Sequence, residues 1–426
     1  MRSVDEILNY MGDFTVTYEG NDIQLTGYLT KRGDNVVLEC RVIDVARDLM
    51  NSNGNHRVCG MISGTNVTLL NCYISDTQFV GVDYSQGKFT LVPSEIVIGC
   101  QNNDNLRIKS ITAFLKELNN MFSSRIVEPH LAFTRNNPSM LDFAFPESIT
   151  AKTQDGEIRI SRTVAVSSSR NEHSVQIRPF IEYMFNTPVE IGTAISKIAS
   201  VRSLLTFFAD YYLPWGELSI TDKDGSGDDR YLLHLNFTEN VDKSDYPFLI
   251  WTSAFENCFQ GIWDSWQKFH SDNKHIAELF SEMITNHSRR ANRFLNLCQC
   301  LEMYSCCYRN DEAEKVRNKD SESTKSITLK HRLHDLFLSL NRYLALSEDK
   351  CEDLAKTISG ARNYFTHYNK KRPEPSFDCI AYSCEFLHFV LLLLVYELLG
   401  LPEEVIHECR NCKQYSNLDF FISKID

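Results

Sequence analysis

The spacing of apolar residues changes once along the chain, and that change limits the folds available to it. From Phe14 to about Phe237, short stretches alternate apolar and polar residues, the period of half-buried strands. Phe14–Glu19, Ile23–Thr30, Val36–Ile43, Val67–Ile74, Phe89–Ile98, Ile158–Ser167, Val175–Phe185 and Tyr231–Phe237 are the clearest, with turns such as 19–22 and 33–35 between them. Regular short strands of this kind predict an antiparallel sandwich-like or barrel-like region rather than a doubly wound sheet. Two helices are expected to interrupt it, one near Ile111–Phe122 and one carrying Ile195, Ile198, Val201, Leu204, Leu205 and Phe208 at spacings of three and four.

After about Trp251 the period becomes helical. Phe294, Leu297, Leu301 and Tyr304 recur at helical spacing, as do Leu329, Leu333, Leu336, Phe337, Leu340 and Leu344. The charged stretch 310–326 between them reads as a solvated connection. A third helix opens at the N-cap Ser347 with Glu348 and Asp349 in its first turn, and a fourth runs from Phe377 to Leu399 before Gly400 and Pro402. The fold class expected is therefore α+β: an antiparallel β-rich region over residues 1–250, then an all-α bundle of four main helices with a short tail over 251–426.

Composition narrows the function classes. A formal charge of −12 excludes a whole-surface attraction to nucleic acid or acidic membrane, so a polyanion must bind at a local patch. Met1–Gly12 contains Asp5 and Glu6 and no secretory-type apolar run, which predicts a cytoplasmic protein. The apolar run in Phe386–Leu401 is broken by His388 and Glu397 and is shorter than the about 18–20 residues of a bilayer span, so a buried core helix and no membrane partner are expected. Fourteen cysteines dispersed over a chain this long read as free, mostly buried thiols.

The third helix carries the chemistry. Leu354, Ile358, Ala361 and Phe365 fall within about 60° of one another and form its buried face. Asn363 and His367 stack at i, i+4 on the opposite side, and Arg362 sits at the edge, where its long side chain can reach the same point. Lys370, Lys371 and Arg372 follow, a positive cluster suited to a phosphate backbone. A second Arg-x4-His, Arg125 to His130, contains Pro129 and so is not helical, which makes it an internal control. Gly360 within the helix is consistent with close approach of a partner helix, although a glycine near a fraying end reads the same way.

This arrangement resembles HEPN-domain ribonucleases, and the layout of a strand-rich N-terminal half joined to such a bundle looks like the ApeA type of anti-phage abortive-infection protein. The likeness is strongest over about residues 275–400, including Leu301-Glu302, and is architectural over 1–250. It implies a metal-independent endoribonuclease, active as a homodimer or higher oligomer and triggered by a phage component, with an N-terminal sensor region. On this reading Arg362, Asn363 and His367 are catalytic and Lys370, Lys371 and Arg372 bind RNA. The residue types suit the reaction: an imidazole can give or take a proton near neutrality, and a guanidinium holds a phosphate by paired hydrogen bonds. The alternative is a non-catalytic RNA- or protein-binding module with a ligand-recognising β domain.

Other motifs carry less. Cys409 and Cys412 with His407 make half of a structural zinc site; the reading of the nearby cysteines as small core residues outweighs it, and no cofactor is expected to be required for catalysis. Asp222–Asp228 begins like a calcium loop, but Leu233 stands at its twelfth position, so a hairpin loop is expected. Gly81–Phe89 misses the phosphate-loop spacing and reads as a turn.

Overall fold

The computed structural model describes residues 2–18, 21–43, 55–80, 86–100, 106–115, 117–118, 121–122, 129–131, 141–143, 148–168, 173–222, 230–236, 249–285, 290–319, 326–367 and 374–425. The chain forms two compact units. One contains residues 1–118, 147–201 and 214–239; the other contains 119–146, 202–213 and 240–426. The second unit thus takes in residues 119–146 and 202–213 together with the chain after 239.

In the first unit the short helix α1 (Val4–Ile7) precedes strands β1 (Met11–Tyr18), β2 (Asn21–Arg32), β3 (Asn35–Ile43), β4 (His56–Ile62), β5 (Thr65–Val80) and β6 (Gln86–Val92). They pair in the order β5-β4-β1-β2-β3-β6, and β6 returns to the second half of β5, closing a barrel with antiparallel pairs throughout. Closure follows from alternation: Phe14 and Val16 on β1 and Ile23, Leu25 and Leu29 on β2 point into one core with Leu38, Val58, Leu69 and Leu91. Gly60 lies against the Phe14 ring and the Asp13 carbonyl, where a Cβ would collide with both.

Strand β7 (Glu95–Ile98) pairs with the first half of β5 and continues the sheet outward through β15 (Arg230–Leu235), β14 (Leu218–Asp222), β8 (Ile108–Phe114), β13 (His173–Val189), β12 (Gly156–Ser168) and β11 (Ile149–Lys152). Asn236 pins the junction between β6 and β7: its side chain bonds the Val36 N–H at 2.6 Å and the carbonyls of Val36 and Pro93 at 2.8 and 2.7 Å. The expected antiparallel β-rich region is thus present, its layers made by one sheet that closes a barrel and then extends.

The helix expected at Ile111–Phe122 is corrected by β8. Ile111 and Ala113 on this strand are buried, and so is Thr112 between them, so burial on both faces erases the alternation that would mark a strand. The other expected helix is α2 (Ile191–Ala209), which begins in the first unit and ends in the second. Strands β14 and β15 pair as a hairpin around residues 223–229, as expected for the calcium-like stretch, and β5 and β6 pair across residues 81–85; both connections lie outside the described residues.

The second unit contains a two-stranded pair, β9 (Pro129–Leu131) with β10 (Leu141–Phe143), so Pro129 and His130 of the control motif are in a strand; Arg125 is outside the described residues. Its helices are α3 (Thr252–Phe255), α4 (Phe259–Asp272), α5 (Lys274–Thr285), α6 (Arg290–Tyr308), α7 (Asn310–Lys319), α8 (Leu329–Ser339), α9 (Asn341–Leu344), α10 (Glu348–His367), α11 (Phe377–Leu399), α12 (Glu403–Cys409) and α13 (Leu418–Ser423). Helix α11 packs along α6 and α4, and α10 packs on α8 and α6. Long and apolar enough to cross a membrane, α11 is instead 83% buried over its most apolar window, as expected of a core helix. The Ser376 hydroxyl caps its start by accepting from the Cys379 N–H at 3.0 Å, and Gly400, at φ 75°, ends it.

The charged stretch read as a solvated connection is corrected over 310–319 by α7, while residues 320–325 lie outside the described residues. Acidic Asp311 and Glu312 in its first turn and Arg317 and Lys319 in its last complement the helix dipole, and the pairs Glu312–Lys315 and Glu314–Arg317 run along its surface. Its one buried residue, Ala313, is too little apolar surface to show as a period.

A buried polar cluster ties the end of α2 to α11 and to the C-terminal segment. Asp210, left-handed at φ 58°, lies 2.5 Å from His388 Nε2 and accepts from the Tyr415 hydroxyl at 2.6 Å, while Tyr396 donates to the Phe207 carbonyl at 2.6 Å. Burial pushes the Tyr396 and Tyr415 phenols well up, so both stay protonated donors.

Candidate functional site

Helix α10 starts as the sequence predicts, with the Ser347 hydroxyl accepting from the Lys350 N–H at 3.2 Å. Leu354, Ile358 and Ala361 are buried; Phe365, in phase with them, is half-buried near the end and meets Phe294 of α6 edge-on, with ring centroids 6.3 Å apart. These contacts set the rotation of α10 and so decide where its polar residues point.

Arg362 leaves the buried face toward α6. Its Nη2 lies 3.3 Å from Glu302 Oε2 and its Nη1 lies 3.4 Å from Asn363 Oδ1, both at the long end of hydrogen bonding. The guanidinium is 29% exposed and the Glu302 carboxylate 35%, so neither is removed from water. Of the five N–H donors of an arginine, two are used in these contacts; among the described residues the others remain for a ligand. Asn363 is half-buried and His367 exposed, one helical turn apart on the same side. The Thr366 hydroxyl donates to the Arg362 carbonyl at 2.7 Å, occupying one of the acceptors that a helix end leaves open.

Cys298, one turn before Glu302 on α6, is buried; burial pushes its thiol up, and the nearby Arg362 only partly opposes this. It therefore serves as packing beneath the ion pair. Arg293, near the start of α6, binds Glu385 of α11 at 3.1 Å, so α6 is held on one side by α10 and on the other by α11.

Arg362, Asn363 and His367 thus share the last two turns of α10. Lys370, Lys371 and Arg372 lie outside the described residues. Glu302 enters the sequence reading only through the likeness over Leu301-Glu302, without a role of its own; it is the only acidic residue in the nineteen-residue α6, which is the signal that marks it.

The cysteine motif near the C-terminus is spent locally. Cys409 donates to the Val405 carbonyl at 3.4 Å and Cys412 to the Glu408 carbonyl at 3.6 Å, while the His407 ring packs edge-on against Tyr343 at 4.8 Å. Burial pushes both thiols up. Among the described residues no group of three or more His, Cys, Asp or Glu side chains is arranged to hold a metal ion.

Comparison with known families gives two matches. ApeA N-terminal domain 1 matches residues 9–266, and the Apea-like HEPN domain matches residues 295–405, which contain Glu302 and the end of α10. No curated protein and no solved structure matches the chain.

Proposed function

The chain belongs to the ApeA-like family of HEPN proteins, whose family-level role is that of ribonuclease-type anti-phage effectors, and from that premise we propose that it is an endoribonuclease using Arg362, Asn363 and His367. The observation that carries the reading is the placement of a partly exposed arginine, an asparagine and an exposed histidine within two turns of one helix end, with Glu302 holding the arginine from the facing helix.

The reaction needs no metal. One imidazole takes the proton from a ribose 2′-hydroxyl, whose oxygen attacks the adjacent phosphorus; a second imidazole protonates the departing 5′-oxygen. The products are a 2′,3′-cyclic phosphate and a free 5′-hydroxyl. HEPN domains commonly dimerise and bind RNA, and a homodimer supplies the second His367. Arg362 stabilises the charge gathering on the phosphate, a contribution of about 2–4 kcal/mol for one donor in a preorganised site. Asn363 orients His367 or the phosphate. Lys370, Lys371 and Arg372 attract the RNA backbone, and the N-terminal region restrains the site in the cytoplasm until a phage component engages it.

The test is cleavage of total RNA by the purified chain in a chelating buffer, with ends mapped chemically. Fragments ending in 2′,3′-cyclic phosphate that vanish with His367→Ala and Arg362→Ala support the reading. Binding of RNA without cleavage, unchanged in both variants, would instead fit the non-catalytic binding module.

A further inference from the structure

Phe377, the first residue of α11, is 69% exposed, an unusual position for so large an apolar ring. The Arg290 guanidinium carbon lies 4.5 Å from its centroid, a cation–π contact. The Cys384 thiol lies 3.7 Å from the Arg290 carbonyl, which fastens the start of α6 beside the first turns of α11.

The position of this pair follows from the packing of α6 on α10. Arg362 meets Glu302 and Phe365 meets Phe294, so the two helices run in opposite directions. Arg290 lies one turn beyond Phe294 toward the start of α6, and His367 lies two residues beyond Phe365 toward the end of α10. The Arg290–Phe377 pair and His367 therefore occupy the same end of the bundle.

We infer that Phe377 and Arg290 form a stacking platform for one unpaired nucleobase of the RNA whose phosphate is held at Arg362 and His367. This rests on the ribonuclease reading and adds to it a base-binding subsite. An exposed ring with a guanidinium against it offers both things a single strand takes up, a π face for the base and positive charge for the backbone. Glu374, Ser376 and Asp378, its polar neighbours along the chain, are also exposed. Those carboxylates repel phosphate, which directs the backbone to the Arg290 side. Single strands of any sequence satisfy such a platform, and paired RNA does not.

The test uses the full chain carrying His367→Ala, so that RNA stays intact, and fluorescent single-stranded RNA beside a ribose-phosphate strand of equal length lacking bases. Phe377→Leu is expected to weaken binding of the RNA about ten-fold, one stacked base at about 1.4 kcal/mol, with Phe377→Trp restoring it and the baseless strand unaffected. Equal binding of RNA by the Leu and Phe chains overturns the platform while leaving the nuclease reading in place. Equal weakening on both strands, with a change in oligomer size by sedimentation, makes the ring a contact between copies and also overturns it. Absence of both RNA binding and RNA cleavage by the unsubstituted chain removes the ribonuclease reading itself, and the platform with it.

Discussion

Arg362 and Glu302, sixty residues apart in sequence, meet at 3.3 Å where α10 packs on α6. Both side chains are about one-third exposed, so the pair adds under about 1 kcal/mol to stability. Its consequence is positional: it fixes an arginine fork beside Asn363, one turn below His367.

Glu302→Gln should therefore separate activity from stability. The melting temperature is expected to hold within a degree or two, while kcat falls roughly ten-fold, about 1.4 kcal/mol of lost positioning, with KM little changed. Arg362→Lys keeps the charge but loses the fork, and the loss should be at least as large. The double variant should cost less than the two losses combined, because both act through one guanidinium. Additive losses would place Glu302 outside the site.

The Asp210 cluster should behave oppositely. His388 and Asp210 are nearly fully buried, and replacing His388 by Leu removes one partner of a buried carboxylate. Denaturant unfolding of the full chain should show a loss of about 3 kcal/mol, and Tyr415→Phe about 1–2 kcal/mol from the lost hydroxyl. A Tyr415→Phe chain as stable as the parent would show that the hydroxyl contributes nothing.

Stability should fall on mild acidification. Burial lowers the pKa of His234 in the first unit and of His334 in the second below the ordinary value of 6.5. The unfolded chain then takes up protons near pH 6.5 that the folded chain still refuses, so stability present above that pH is lost as pH falls from 6.5 through the lower folded values. Unfolding midpoints measured between pH 7.5 and about 5 should decline, and His334→Gln should flatten the decline. An unchanged slope in that variant would remove His334 from the account.

Thiol reactivity should follow burial. Cys306 and Cys307 are exposed, whereas burial pushes Cys351 up to about 11 and Cys300 and Cys384 up to about 12. Brief alkylation of the native protein followed by peptide mapping should label Cys306 and Cys307 well ahead of these three. Early labelling of Cys384 would mean that α11 opens readily.

Much of the helical unit was legible because its ends carry local chemistry: Ser347 and Gly400 mark where α10 begins and α11 stops. Strand β8 was not, since burial of Ile111, Thr112 and Ala113 in succession removes the two-residue period, while the run from Ile108 to Leu118 imitates a helical one. Helix α7 was hidden because charge pairs and the packing of Ala313, rather than an apolar face, hold it. The meeting of Glu302 with Arg362, sixty residues apart, depends on long-range packing. Within the candidate site, the shared side of Asn363 and His367 could be read from helical phase alone.

The central claim is that the RNA itself supplies the nucleophile, positioned by Arg362 and His367. The most direct measurement is cleavage of an RNA that the protein cuts, compared with the same strand carrying a single 2′-deoxyribose on the 5′ side of the scissile phosphate. Loss of cutting at that one bond, with the other bonds still cut, is the result predicted; undiminished cutting there would mean that water or another group attacks the phosphorus, and the assignment would be wrong.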